Sequence, residues 1–71
     1  MSFDYSKLRG KIIEKYGSQM KFAKEIGITN ETLSRKMQGK SYFRQDEIYK
    51  ISNLLGIARE QVDSYFFCKQ S

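Results

Sequence analysis

Apolar residues return every three or four positions along this chain, in short runs that each stop at or near a glycine. Leu8, Ile12, Ile13 and Tyr16 precede Gly17; Phe22, Ala23 and Ile26 precede Gly27; Leu33 and Met37 precede Gly39; Ile48, Ile51, Leu54 and Leu55 precede Gly56. This recurrence is the period of an amphipathic helix, and glycine takes most easily the left-handed conformation in which helices commonly end. A last run, Val62, Tyr65 and Phe66 with Phe67 beside it, follows Gly56. Proline is absent, and no segment alternates with the period of a strand. The pattern predicts an all-α fold of five short helices, over about residues 4–16, 18–26, 29–38, 45–55 and 59–67. All five are expected in one domain, 1–71, because a chain of this length buries only about 60% of its unfolded surface and has one core to build.

Local chemistry supports the helix starts. Asp4 is placed to cap the first helix, with Phe3 before it and Leu8 after it as a hydrophobic staple. Ser18 and Thr29 are expected to cap the second and third helices. Asp46 and Glu47 supply the acidic first turn that suits the fourth. The second and third helices are too short to stand alone. Their juncture is specific: Ala23 is small where two helices must cross closely, Gly27 permits a sharp turn, and Ile28 is placed to plug the angle. On the third helix Leu33 and Met37 share the inner side, which leaves Asn30, Glu31, Ser34 and Arg35 to face outward.

Composition removes several classes of function. There is no His and one Cys, Cys68, so neither a zinc site nor a His-based triad can be assembled from one chain, and no cofactor, metal or small-molecule substrate is implied. An enzyme is not expected. A lone thiol fits a reducing cytoplasm, and Tyr65–Phe66–Phe67–Cys68, the longest apolar run, is far too short for a membrane span. Met1–Ser2–Phe3–Asp4 lacks the charged and apolar regions of a signal peptide, so the chain is expected in the cytoplasm of its host cell. Thirteen Lys and Arg against eight Asp and Glu give a net charge of +5, which favours an anionic partner. Arg35, Lys36, Lys40 and Arg44 fall together with no acid between them, whereas beyond them Asp46, Glu47, Glu60 and Asp63 balance Lys50, Arg59 and Lys69. A solvated helix face would explain the same charges.

The segment from Gln19 to Thr29, with Phe22–Ala23 and Gly27–Ile28–Thr29 in place, and the Gly39–Lys40 exit resemble the helix-turn-helix family of temperate-phage repressors and Cro proteins, also called the xenobiotic-response-element type. Nearly the whole chain takes part. Phe3–Gly10, Gln45–Ile48 and Tyr65–Phe67 make it most similar to the small Cro-like or modulator-of-repression proteins of Gram-positive prophages.

The resemblance implies that the third helix enters the major groove of double-stranded operator DNA, with Asn30, Glu31, Ser34 and Arg35 reading bases. Asn pairs with adenine, Arg with guanine, and Glu accepts from cytosine. Glu31 reads equally as an acid favoured by the helix N-terminus. Gln19 would touch phosphate or buttress the reading helix, and Thr29, Lys40, Ser41 and Arg44 would grip phosphates, which positions a protein without reading sequence. Lys21 and Lys36 read either as further phosphate contacts or as solvated lysines. The chain departs from the family at Lys36–Met37, where most members carry the large apolar residue at the position of Lys36; Met37 is expected to take its place in the core.

Two functions follow from the resemblance. One is a Cro-type regulator of the lytic or lysogenic decision, a homodimer joined through Tyr65, Phe66 and Phe67, since two half-sites demand a two-fold interface. Aromatics at helical spacing are more often core, and that is the other reading of these three. The other is an anti-repressor or modulator of repression that acts by gripping the cognate phage repressor. A nonspecific nucleic-acid binder would need the charge but not the capped reading helix.

Overall fold

The computed structural model describes residues 3–68; Met1, Ser2 and residues 69–71, including Lys69, lie outside it. The chain runs through α1 (Ser6–Tyr16), α2 (Gln19–Ile26), α3 (Asn30–Met37) and α4 (Gln45–Leu55) to a single 3-10 turn (Arg59–Gln61) and α5 (Val62–Phe66). Among the described residues no strand forms beyond an isolated bridge at Phe3, and no helix is long and apolar enough to cross a membrane. The fold is all-α with five helices, as the periodicity predicts.

The start of α1 differs from expectation by two residues. Asp4 accepts through Oδ1 from both the Ser6 N–H, at 2.9 Å, and the Ser6 hydroxyl, at 2.6 Å, and Tyr5 occupies the cap position. The aspartate therefore closes a turn ahead of the helix. Those two hydrogen bonds, the hydroxyl first, hold its carboxyl below the ordinary carboxylate range. The ring of Phe3 packs edge-on against Tyr5 and Phe67. Ile13, expected in the buried stripe, is 45% exposed. The inward line is Leu8, Ile12 and Tyr16 at strict four-residue spacing, and a residue one past Ile12 is turned about 100° away from it.

The core collects a few large side chains from every helix. Leu8, Ile12, Phe22, Leu33, Ile51, Leu55 and Phe66 are fully buried, and Ala23 lies at the close approach of α2. α1 packs on α2, α4 and α5, and α2 packs on α1, α3 and α4. Tyr16 meets Phe22 edge-on at 4.8 Å between ring centroids. Phe43, from the loop after α3, inserts between Tyr5 and Phe66 at 5.3 Å from each. Edge-to-face pairs of this kind add to the stabilisation from buried area.

The final helix is shorter than its apolar run suggests, because Arg59–Gln61 winds as a 3-10 turn with Gln61 N–H donating to the Ala58 carbonyl. Tyr65 and Phe66 are buried at 8% and 1% exposure, and Lys7 of α1 covers the Tyr65 ring at 4.7 Å. Of the three aromatics read as an interface, only Phe67 faces outward, at 46% exposed. The other two are consumed by the core of a single copy.

Ser52 is buried on α4, and its hydroxyl has no hydrogen-bond partner among the described residues. Such a group carries a desolvation cost of about 1–3 kcal/mol. Ser52→Ala is expected to leave stability unchanged or raise it by up to about 1 kcal/mol in urea denaturation; a loss of that size would mean that the hydroxyl is bonded in solution.

Candidate recognition surface

The third helix owes its direction to the turn before it. Gly27 sits at φ +82°, and the N–H groups of Gly27 and Ile28 return to the carbonyls of Lys24 and Ala23. This ends α2 with a left-handed residue that glycine adopts without strain. Lys50 of α4 approaches the Ile26 carbonyl at 3.5 Å, a cation at the negative end of α2. Ile28 is half-buried in the angle. Ser18 caps α2 by accepting from the Lys21 N–H, and Thr29 caps α3 by accepting from the Thr32 N–H at 3.0 Å. The Thr29 hydroxyl also donates to the Thr32 hydroxyl, so both of its functions are engaged within the first turn of α3.

On the outward side of α3, Asn30, Glu31 and Arg35 are exposed and Ser34 is half-buried. Gln19, at the first position of α2, joins two of them: its amide donates to Asn30 Oδ1 at 3.0 Å and to Ser34 Oγ at 2.7 Å. Its geometry is that of a buttress. With one acceptor site of Asn30 and one of Ser34 occupied, the Asn30 amide N–H groups and the Ser34 proton remain available to a partner. Glu31 and Arg35, one turn apart, make no ion pair with each other.

Beyond α3, Gly39 at φ +80° reverses the chain into a loop. Lys40 is exposed, Ser41 half-buried, and Arg44 exposed with its guanidinium 3.4 Å from Asp46. These three follow α3 in the chain, on the loop that leads to α4, and the Arg44–Asp46 pair lies open to solvent on both sides.

Lys36 is neither solvated nor a surface cation. It is 6% exposed, and its ammonium donates to the Tyr42 carbonyl at 3.0 Å and pairs with Glu47 at 3.0 Å. Glu47 in turn accepts from the Arg44 N–H at 2.8 Å, the reciprocal half of a capping box at the start of α4. The residue that departs from the family pattern thus fills its inner position after all, with its aliphatic stem in the core and its charge matched. Met37 is buried beside it. A Lys at an apolar position followed eleven residues later by Glu carries no local signal of pairing. Tyr42, 86% exposed, and Tyr49, 72% exposed, are also surface features that periodicity did not single out. Among the described residues no cluster of His, Cys, Asp and Glu is arranged to hold a metal ion.

The described residues thus form a small all-helical fold in which α3 carries a polar outward face. The chain belongs to the family described as Protein of unknown function (DUF739), whose model matches residues 1–69. It is similar to the solution structure of the modulator of repression (MOR) of the temperate bacteriophage TP901-1 from Lactococcus lactis. The two are 42% identical, the match covers 94% of this chain and 90% of that one, and the TM-score is 0.81. No curated protein matches the chain.

The cap at Thr29 sets the first turn of α3. Thr29→Ala is expected to lower stability by about 1 kcal/mol in chemical denaturation, and Thr29→Ser to restore most of it. Equal losses in both variants would show that the methyl group, not the hydroxyl, matters there.

Proposed function

We propose that this chain is a modulator of repression in a temperate phage, acting on the lytic or lysogenic decision by binding the cognate repressor. The observation that carries this reading is the 42% identity, over nearly the whole chain, with the modulator of repression of phage TP901-1. The fold agrees with it. A Cro-type regulator needs two copies to present two reading helices to two half-sites. Of the aromatics that would join such copies, Tyr65 and Phe66 lie in the core and only Phe67 is exposed. A single copy presents one polar helix face, which a protein partner can meet without a second copy. On this reading Asn30, Glu31, Ser34 and Arg35 meet the repressor, with Lys40, Ser41 and Arg44 at the edge.

A second reading is direct operator binding by a helix-turn-helix whose α3 reads bases. The Gln19 buttress on Asn30 and Ser34 favours it, because fixed donors are what base readout requires. Here Arg35 reads guanine while Thr29, Lys40, Ser41 and Arg44 hold phosphates.

One titration separates the two: purified chain against operator DNA, with and without the repressor, over a salt series and an excess of random duplex. The modulator reading expects a stoichiometric complex with the repressor, a change in the repressor's hold on its operator, and no operator preference by the chain alone. Operator binding by the chain alone, at least about 10³ tighter than to random duplex, would overturn it. In that event Arg35→Ala should lose affinity chiefly at one operator position. Lys40→Ala should weaken all sequences alike and flatten the salt dependence by about one unit of slope.

A further inference from the structure

The loop from Lys40 to Phe43 is fixed from below at two points. The Phe43 ring is held between Tyr5 and Phe66, and the Tyr42 carbonyl accepts from the buried Lys36 ammonium. Lys36 is itself held by Glu47, which also anchors the Arg44 backbone. Glu47 therefore links the end of α3, through Lys36, to the start of α4 on either side of Tyr42. Yet Tyr42 is 86% exposed, the most solvent-facing large apolar residue among those described. The stem of Lys36 fills the core and Glu47 anchors the start of α4, but neither role requires the ammonium to fix the Tyr42 carbonyl beneath an aromatic ring left in water; Lys36 is buried and Glu47 partly so. Buried ion pairs rarely add net stability over apolar residues of the same volume, and their attested use is to specify one arrangement.

We propose that Tyr42 is the anchor by which this chain holds its repressor, and that the Lys36–Glu47 pair is the positioning device that presents it. The proposal rests on the modulator reading and names the contact that reading requires. A tyrosine whose backbone is already ordered loses little conformational freedom on binding, and Tyr is enriched among the residues that dominate protein interfaces. The ring needs an apolar recess to enter. A protein surface provides one and a phosphate backbone does not; phosphate would use only the hydroxyl and its cationic neighbours. Of those neighbours Arg44 has Asp46 at 3.4 Å, an exposed pair that a partner's carboxylate can displace. The matching face on the repressor is an apolar pocket bordered by carboxylates or carbonyls that suit Lys40 and Arg44.

The test uses the full chain and the purified repressor of the same phage, with affinity from calorimetry and loop order from backbone ¹⁵N relaxation. Tyr42→Ala should weaken repressor binding at least about tenfold with the loop order parameters unchanged. Lys36→Met combined with Glu47→Gln should keep the helical fold and its melting temperature, since an apolar stem replaces the buried cation. It should also drop the order parameters of Ser41–Phe43 below about 0.6 and weaken binding at least about tenfold. Full affinity in Tyr42→Ala overturns the anchor. A loop as rigid as before in the double variant overturns the positioning role. If the double variant does not fold, Glu47→Gln alone removes the charge opposite Lys36 while keeping an acceptor for the Arg44 N–H, and the same two readouts decide. A wild-type chain that does not bind the repressor overturns the modulator reading and the anchor with it, whereas the relaxation data still decide whether the pair orders the loop.

Discussion

Helices of eight and five residues do not persist in water by themselves, because each forms too few hydrogen bonds to offset the cost of its first turn. In this chain α2, α3 and α5 are of that kind. They exist because Phe22, Leu33 and Phe66 are withdrawn from water against Leu8, Ile12, Ile51 and Leu55. Each fully buried side chain of this size contributes about 1.5–3 kcal/mol of transfer free energy. The direction of α3 in space is thus a property of the core, and the polar face it displays is what remains after Leu33, Lys36 and Met37 have turned inward.

What was legible in the sequence was whatever depends on neighbours a few positions away. The glycine stops, the Ser18 and Thr29 caps, the inward Leu33 and Met37, and the acidic first turn of α4 are all settled by residues within one helical turn, and the structure shows each of them. The features that escaped are decided by distant partners. Asp4 turns to Ser6 in a segment whose Phe3 ring is engaged by Phe67 and whose Asp4 N–H donates to the Cys68 carbonyl. Ile13 loses its place because α1 offers its four-residue line to the core. Tyr65 and Phe66 could have faced a second copy or the interior, and only the packing of α1 and Phe43 against them decides for the interior. Lys36 is the plainest case: an ammonium in an apolar row has meaning only once Glu47 and the Tyr42 carbonyl are seen beside it.

The recognition surface shows the same division between local and distant causes. Its residue types were visible from spacing, since positions 30, 31, 34 and 35 share one side of a helix whose other side is buried. Its internal order was not visible. Gln19 holds Asn30 and Ser34 from another helix, while Glu31 and Arg35 have no such tie among the described residues. The neutral members of the face are therefore positioned by α2, and its two charged members only by α3.

The hydrogen bond from Asp4 to Cys68, the Phe3–Phe67 ring pair and the Lys7–Ser64 contact, 57 positions apart in the chain, make the first residues depend on the last. Synthesis proceeds from the N-terminus. α1, the element on which three others pack, therefore spends its time on the ribosome without its closing partners, and long-range contacts of this kind set the pace of folding. A product cut short before Tyr65 lacks the Phe66 ring that packs on Phe43 and the Tyr65 ring that Lys7 covers, so apolar surface on α1 and on the loop before α4 stays in water until those residues are added.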